Sequence, residues 1–111
     1  MGRLNSMGRL NLAPSEVTKM AALSPDQIKT KLAPLPAWSV EAGELVRQFQ
    51  FPDFLGSITF VNRVAQLAQA AGHHPDIDIR YNKVRLALST HDEGGITAKD
   101  FELATKVGGL D

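Results

Sequence analysis

Two short alternating runs in the second half of the chain set its pattern. Ile77, Ile79 and Tyr81 alternate with Asp78 and Arg80, while Val84, Leu86 and Leu88 alternate with Arg85, Ala87 and Ser89. A period of two puts each apolar set on one face of a half-buried strand. Asn82-Lys83 lies between the runs, and Asn tolerates the left-handed backbone of a tight turn, so a hairpin is predicted. An earlier pair of runs has the same character. Trp38 to Val40 reads as a short strand and Leu45 to Phe51 as a longer one, with Leu45, Phe49 and Phe51 on one face, interrupted by Arg47. Glu41-Ala42-Gly43-Glu44 makes the turn between them. Gln48 and Gln50 point the other way, as on a solvated sheet face or the floor of a polar pocket.

Helical periods fill the gaps between the strands. Ser24-Pro25-Asp26-Gln27 opens a helix with a capping Ser, Pro in the first turn and Gln placed to complete a capping box. That helix stops near Leu32, because Ala33 precedes Pro34 and is pushed out of helical geometry. Asp53 caps a longer helix that ends at Gly72. Its apolar positions form two neighbouring stripes: Phe54, Ile58, Val61, Ala65 and Ala68, then Phe60, Val64, Leu67 and Ala71. Thr59, Asn62, Gln66 and Gln69 leave only a narrow polar strip. One stripe covers a small sheet, so the second predicts a further partner surface, a homodimer or homotetramer interface. Thr97-Ala98-Lys99-Asp100 starts the last helix, with Phe101, Ala104 and Val107 turned to the core and Gly108-Gly109 ending it.

The order is therefore α-β-β-α-β-β-α. It predicts a single α+β domain, a four-stranded antiparallel sheet covered by helices on one face. Residues 23–111 make up this domain. Residues 1–22 read as a flexible N-terminal arm, in which Met1-Gly2-Arg3-Leu4-Asn5-Ser6 is nearly repeated by Met7-Gly8-Arg9-Leu10-Asn11-Leu12. Arg3 and Arg9 precede the first acid, Glu16, as in an organelle-targeting segment, although Met20 could equally begin the domain. A cytoplasmic location is the expectation for the domain itself.

Composition narrows the function without naming it. The chain has 111 residues, 43% hydrophobic and 22% charged, enough for one modest core. Twelve Lys and Arg balance twelve Asp and Glu, so no basic face is built for phosphate backbones and direct nucleic-acid binding is not expected. With no cysteine there is no disulfide framework, thiolate nucleophile or Cys-based metal site. No apolar run approaches the roughly 18 residues of a membrane span.

The candidate chemistry is concentrated. All three histidines, His73, His74 and His91, lie within 19 positions. Imidazole titrates near pH 6.5 and is the side chain suited to moving protons at neutral pH. Folding the predicted hairpin brings its open ends together, so the His73-His74 pair enters where His91 leaves, with Asp100 one short loop away. Three histidines can also hold a catalytic zinc. Adjacent His73 and His74 tend to diverge, however, and no His-Glu-x-x-His helix is present, which argues against a metal. Asp100, three residues after Thr97, also has an ordinary explanation as the acid of a capping box.

His73-His74-Pro75, Tyr81-Asn82-Lys83-Val84, Leu88-Ser89-Thr90-His91 and the following Gly95-Ile96-Thr97 with Asp100 resemble the pterin-4a-carbinolamine dehydratases. The resemblance runs from about Leu23 to Val107 and takes in Trp38 and Phe49-Gln50-Phe51-x-Asp53-Phe54. It implies loss of water from a 4a-hydroxytetrahydropterin, such as 4a-hydroxytetrahydrobiopterin, to give the quinonoid dihydropterin in cofactor recycling. It also implies chemistry without metal or organic cofactor. On this reading His73, His91 and Asp100 are the catalytic candidates, Asp100 orienting a histidine. His74, Pro75, Trp38 and Thr90 are the substrate-binding candidates. Some members of the family also act as dimerisation cofactors for a homeodomain transcription factor, so a protein partner is the alternative.

Overall fold

The structure, a computed structural model, describes residues 22–110, so Asp111 and nearly all of the expected arm lie outside the described residues. Helix α1 (Pro25–Leu32) is followed by strands β1 (Ser39–Glu41) and β2 (Glu44–Gln50), then by helix α2 (Phe54–Ala71). Strands β3 (Asp76–Arg80) and β4 (Lys83–Leu88) come next, then a single 3-10 turn over His91–Glu93 and helix α3 (Ala98–Gly108). The α-β-β-α-β-β-α order is as expected. The sheet runs β1-β2-β4-β3 and every neighbouring pair is antiparallel. Two hairpins are thus joined edge to edge through β2 and β4.

Alternation decides which side of the sheet is covered. Leu45 and Phe49 of β2 and Val84, Leu86 and Leu88 of β4 form one cluster with Phe60, Val64 and Ala68 of α2 and Phe101, Leu103, Ala104 and Val107 of α3. Each large apolar side chain so buried contributes about 1.5–3 kcal/mol relative to leaving it in water. Gln48 and Gln50 lie exposed on the other face, as their positions in the strand require. Arg47 shares the covered face, where its guanidinium stands 4.1 Å from the centroid of the Phe49 ring, so the cation is accommodated by stacking. No helix among the described residues is long and apolar enough to cross a membrane.

The helix boundaries follow their capping chemistry. Ser24 and Gln27 form a complete capping box at α1. The Asp53 side chain accepts from the Gly56 N–H at 2.8 Å to start α2. Gly72 ends it at φ 64°, a left-handed conformation that Gly adopts without a Cβ penalty.

Three expectations need correction. The β3–β4 turn is Tyr81-Asn82, not Asn82-Lys83: Arg80 pairs with Lys83, and the positive φ falls on Tyr81, at 56°. Asn82 is recruited instead to tie the turn to β2. Its side-chain amide donates to the Phe51 carbonyl at 3.0 Å while the Phe51 N–H donates to the Asn82 carbonyl at 2.8 Å. The apolar face of this hairpin is also less covered than its alternation suggested: Ile77 is 37% exposed because β3 is an edge strand, and Tyr81 is 67% exposed because it lies in the turn. Finally, the two stripes of α2 divide differently. Phe60, Val64 and Ala68 are buried and Leu67 packs on the core, whereas Phe54 and Leu55 are left 47% and 71% exposed.

Candidate active site

The open end of the β3–β4 hairpin is where the candidate chemistry meets. β3 begins at Asp76, paired with Ala87, so residues just before β3 and just after β4 emerge side by side. Gly72 turns the chain at the end of α2, and the His73 N–H donates to the Ala68 carbonyl at 3.1 Å, which fixes where the two adjacent histidines start. On the other strand, the Thr90 N–H donates to the Gly95 carbonyl at 2.8 Å and closes a small loop that carries His91.

A cavity of about 320 Å³ opens between these segments, lined by His73, His74 and His91 together with Gly72, Ser89, Thr90, Asp92 and Lys99. A second, of about 350 Å³, adjoins it and shares Ser89 and His91. A larger depression of about 450 Å³ between α1 and α3 is lined by Leu35, Phe101 and neighbours and contains no histidine. Chemistry, rather than size, singles out the histidine cavity.

Behind the cavity wall lies a buried carboxylate. Asp100 is 0% exposed and accepts from three donors: the His73 Nε2–H on Oδ1, and the Thr97 N–H at 2.9 Å and Thr90 hydroxyl at 3.0 Å on Oδ2. A buried carboxylate without such donors costs several kcal/mol, so the network is what allows an acid at this position. Because the Nε2–H of His73 donates to Asp100, neutral His73 presents its Nδ1 lone pair as the acceptor. The two readings of Asp100 prove compatible: it completes the Thr97 capping box of α3 and holds a histidine. His74 is exposed, with Nε2 3.1 Å from Oε1 of Gln69, and His91 is exposed at the start of the 3-10 turn.

Not every candidate joins the cavity. Trp38 is 3% exposed and sits in the core, its ring edge-on to Phe49 at 6.2 Å. Pro75 is half-buried beyond the lining residues. Thr90 does line the cavity, although it is largely buried and its hydroxyl is turned to Asp100. Sequence reasoning passed over Thr97 as a structural component of the site and Lys99 as a lining residue. Both stand in the Thr97-Ala98-Lys99-Asp100 motif, but the use of Thr97 as an N-cap explained it too completely, and Lys99 carried no signal of its own. Among the described residues no group of three or more His, Asp or Glu side chains is arranged to hold a metal ion.

Fold and site together define a small α+β domain with a three-histidine cavity backed by a buried carboxylate. Residues 21–110 match the family described as pterin 4 alpha carbinolamine dehydratase, and the chain belongs to that family. A curated relative from Acidobacterium capsulatum, named "Putative pterin-4-alpha-carbinolamine dehydratase", is 55% identical over 91 residues, covering 82% of this chain and 99% of that protein. One of the same name from Chloroflexus aurantiacus is 58% identical over 88 residues, covering 79% and 95%. Among solved structures, a transcriptional coactivator/pterin dehydratase from Brucella melitensis superimposes with a TM-score of 0.76 at 31% identity, covering 80% of this chain and 97% of that one. A pterin dehydratase-like RuBisCO assembly factor of the alpha-carboxysome shares the fold at TM-score 0.54 and 22% identity, over 66% and 84%.

Proposed function

We propose that this protein is a 4a-hydroxytetrahydropterin dehydratase acting by histidine acid–base catalysis, without a metal, in tetrahydrobiopterin recycling. The observation that carries the reading is the cavity lined by all three histidines, with the Nε2–H of one held by Asp100. In the reaction the C4a–O bond breaks, N5 loses its proton, a C4a=N5 bond forms and water departs. Hydroxide is a poor leaving group, so one side chain must protonate the 4a-oxygen while another accepts the N5 proton.

His73 suits the base. Its Nδ1 lone pair is free for a proton, and the imidazolium that forms keeps its bond to the Asp100 carboxylate. His91, on the facing loop, then serves as the acid, and His74 holds and polarises the pterin ring. The N5 proton is left on His73 and the proton lost with the water came from His91, so the cycle closes when His73 releases its proton to solvent and His91 takes one up. Both groups remain in place through the cycle, so no cofactor is consumed.

The test is a dehydration assay on a 4a-hydroxytetrahydropterin, with the spontaneous rate subtracted, before and after exhaustive chelation. Full activity after chelation is expected. Stoichiometric zinc whose removal abolishes turnover would overturn the metal-free part of the reading.

Assembly is the second element of the proposal. Phe54 and Leu55 expose more apolar surface on α2 than a solvated helix face normally carries, and Ile58 and Val61 beside them are only half-buried. A homodimer or homotetramer that covers this face is expected, and Leu55→Glu should dissociate it while the fold survives, since Leu55 lies outside the core. Light scattering showing a monodisperse wild-type monomer at micromolar concentration would rule it out. The coactivator named in the Brucella relative favours an alternative use of the same fold, binding a transcription-factor partner. A folded chain that lacks dehydratase activity would move the reading there.

A further inference from the structure

We propose that Thr90 is a positioning residue that ties the two acid–base histidines to one another, an inference that rests on the dehydratase reading above. Thr90 is only 8% exposed, and its two halves act on different sides of the cavity. The side chain acts towards His73. Its Oγ1 lies 3.0 Å from Asp100 Oδ2 and 2.7 Å from Thr97 Oγ1. A hydroxyl has one proton, and the carboxylate can only accept, so Thr90 donates to Asp100 and Thr97 must donate to Thr90. Thr97 Oγ1 in turn accepts from the Lys99 N–H at 3.3 Å. Every proton in this buried chain has one direction, and it ends on the carboxylate that holds His73 Nε2–H.

The backbone of Thr90 acts towards His91. Its N–H donates to the Gly95 carbonyl, and its carbonyl accepts from the Glu93 N–H at 3.0 Å, so Thr90 anchors both ends of the loop that presents His91. One residue therefore sets Asp100, and through it His73, in the same frame as the His91 loop. An acid and a base that must reach adjacent atoms of one ring system depend on such a fixed separation, because misplacement of about 1 Å can cost on the order of 10²-fold.

The test compares Thr90→Val, which keeps the shape and removes the hydroxyl, with Thr90→Ser, which keeps the hydroxyl. Thr90→Val is expected to lower kcat roughly ten- to hundredfold with KM changed by less than about threefold, and Thr90→Ser to restore kcat to within about threefold of the parent. Nitrogen-15 NMR of labelled histidine supplies an independent reading. A slowly exchanging Nε2–H signal of His73 should be present in the parent and Thr90→Ser and lost or averaged in Thr90→Val. If Thr90→Val does not fold, Thr90→Cys, with its weaker donor, should give an intermediate kcat. A folded Thr90→Val protein with unchanged kcat and an unchanged His73 signal overturns the proposal. So does raised KM at constant kcat, which would make Thr90 a substrate contact. A parent protein without dehydratase activity defeats the functional reading alone, since the NMR comparison still decides whether Thr90 holds His73.

Discussion

Replacing His73 with Ala is expected to lower turnover by about 10²–10⁴-fold, roughly 3–5 kcal/mol of barrier, while pterin binding changes much less. The expectation follows from the two proton transfers the reaction requires and from the position of His73. Its ring lies in the cavity wall with Nε2 committed to Asp100, so only Nδ1 can serve the substrate. His91→Ala should bring a loss of similar size, since elimination fails equally without the proton for the leaving oxygen. His74→Ala should behave differently. Its proposed task is to hold the ring in both ground and transition states, so it should raise KM with a smaller change in kcat. Steady-state kinetics corrected for the spontaneous dehydration separate these patterns. Near-parental turnover in both His73→Ala and His91→Ala, in correctly folded protein, would make the histidine rim a binding surface and favour the protein-partner reading.

Asp100→Asn is expected to be nearly as damaging, although it changes a group that does not touch substrate. The Thr97 N–H is a fixed backbone donor, so the amide oxygen of Asn must take the Oδ2 position that accepts it. The amide NH2 is then left facing His73 Nε2, and two donors cannot bond. His73 must move its proton to Nδ1, which presents a donor where the base should present a lone pair. A histidine in the wrong tautomer is a poor base even when it has not moved. A fall in kcat on the order of 10²–10⁴-fold is expected, with a nitrogen-15 spectrum reporting the Nδ1–H tautomer. Asp100→Ala should add a loss of about 3 kcal/mol or more in stability, because it strands buried donors with no acceptor. Parental kcat in Asp100→Asn would show that His73 does not depend on its partner for the correct tautomer.

Most of the architecture is written in local pattern. The two-residue alternation at Val84, Leu86 and Leu88 can satisfy a core on only one side, and all three are buried. The caps at Ser24, Asp53, Gly72 and Thr97 were legible because each rests on a hydrogen bond or a backbone conformation that depends on near neighbours in the chain. So was the meeting of the three histidines, since a hairpin has only one open end. Contacts between distant residues were not legible in this way. The Tyr81-Asn82 turn is set partly by the Phe51 backbone, 31 positions from Asn82, and the exposure of Ile77 follows from β3 lying at the sheet edge. Trp38 entered the substrate-binding candidates through the family resemblance alone, and it was packing that put its ring against Phe49. Thr90 lies in the cavity lining, but the direction of its hydroxyl was decided by α3 docking Asp100 and Thr97 against it. Sequence alone determined which chemical groups this protein has and roughly where along the fold they emerge. Tertiary structure decided which of them are desolvated and which donor faces which acceptor, because burial and hydrogen-bond direction belong to neighbours in space rather than in the chain.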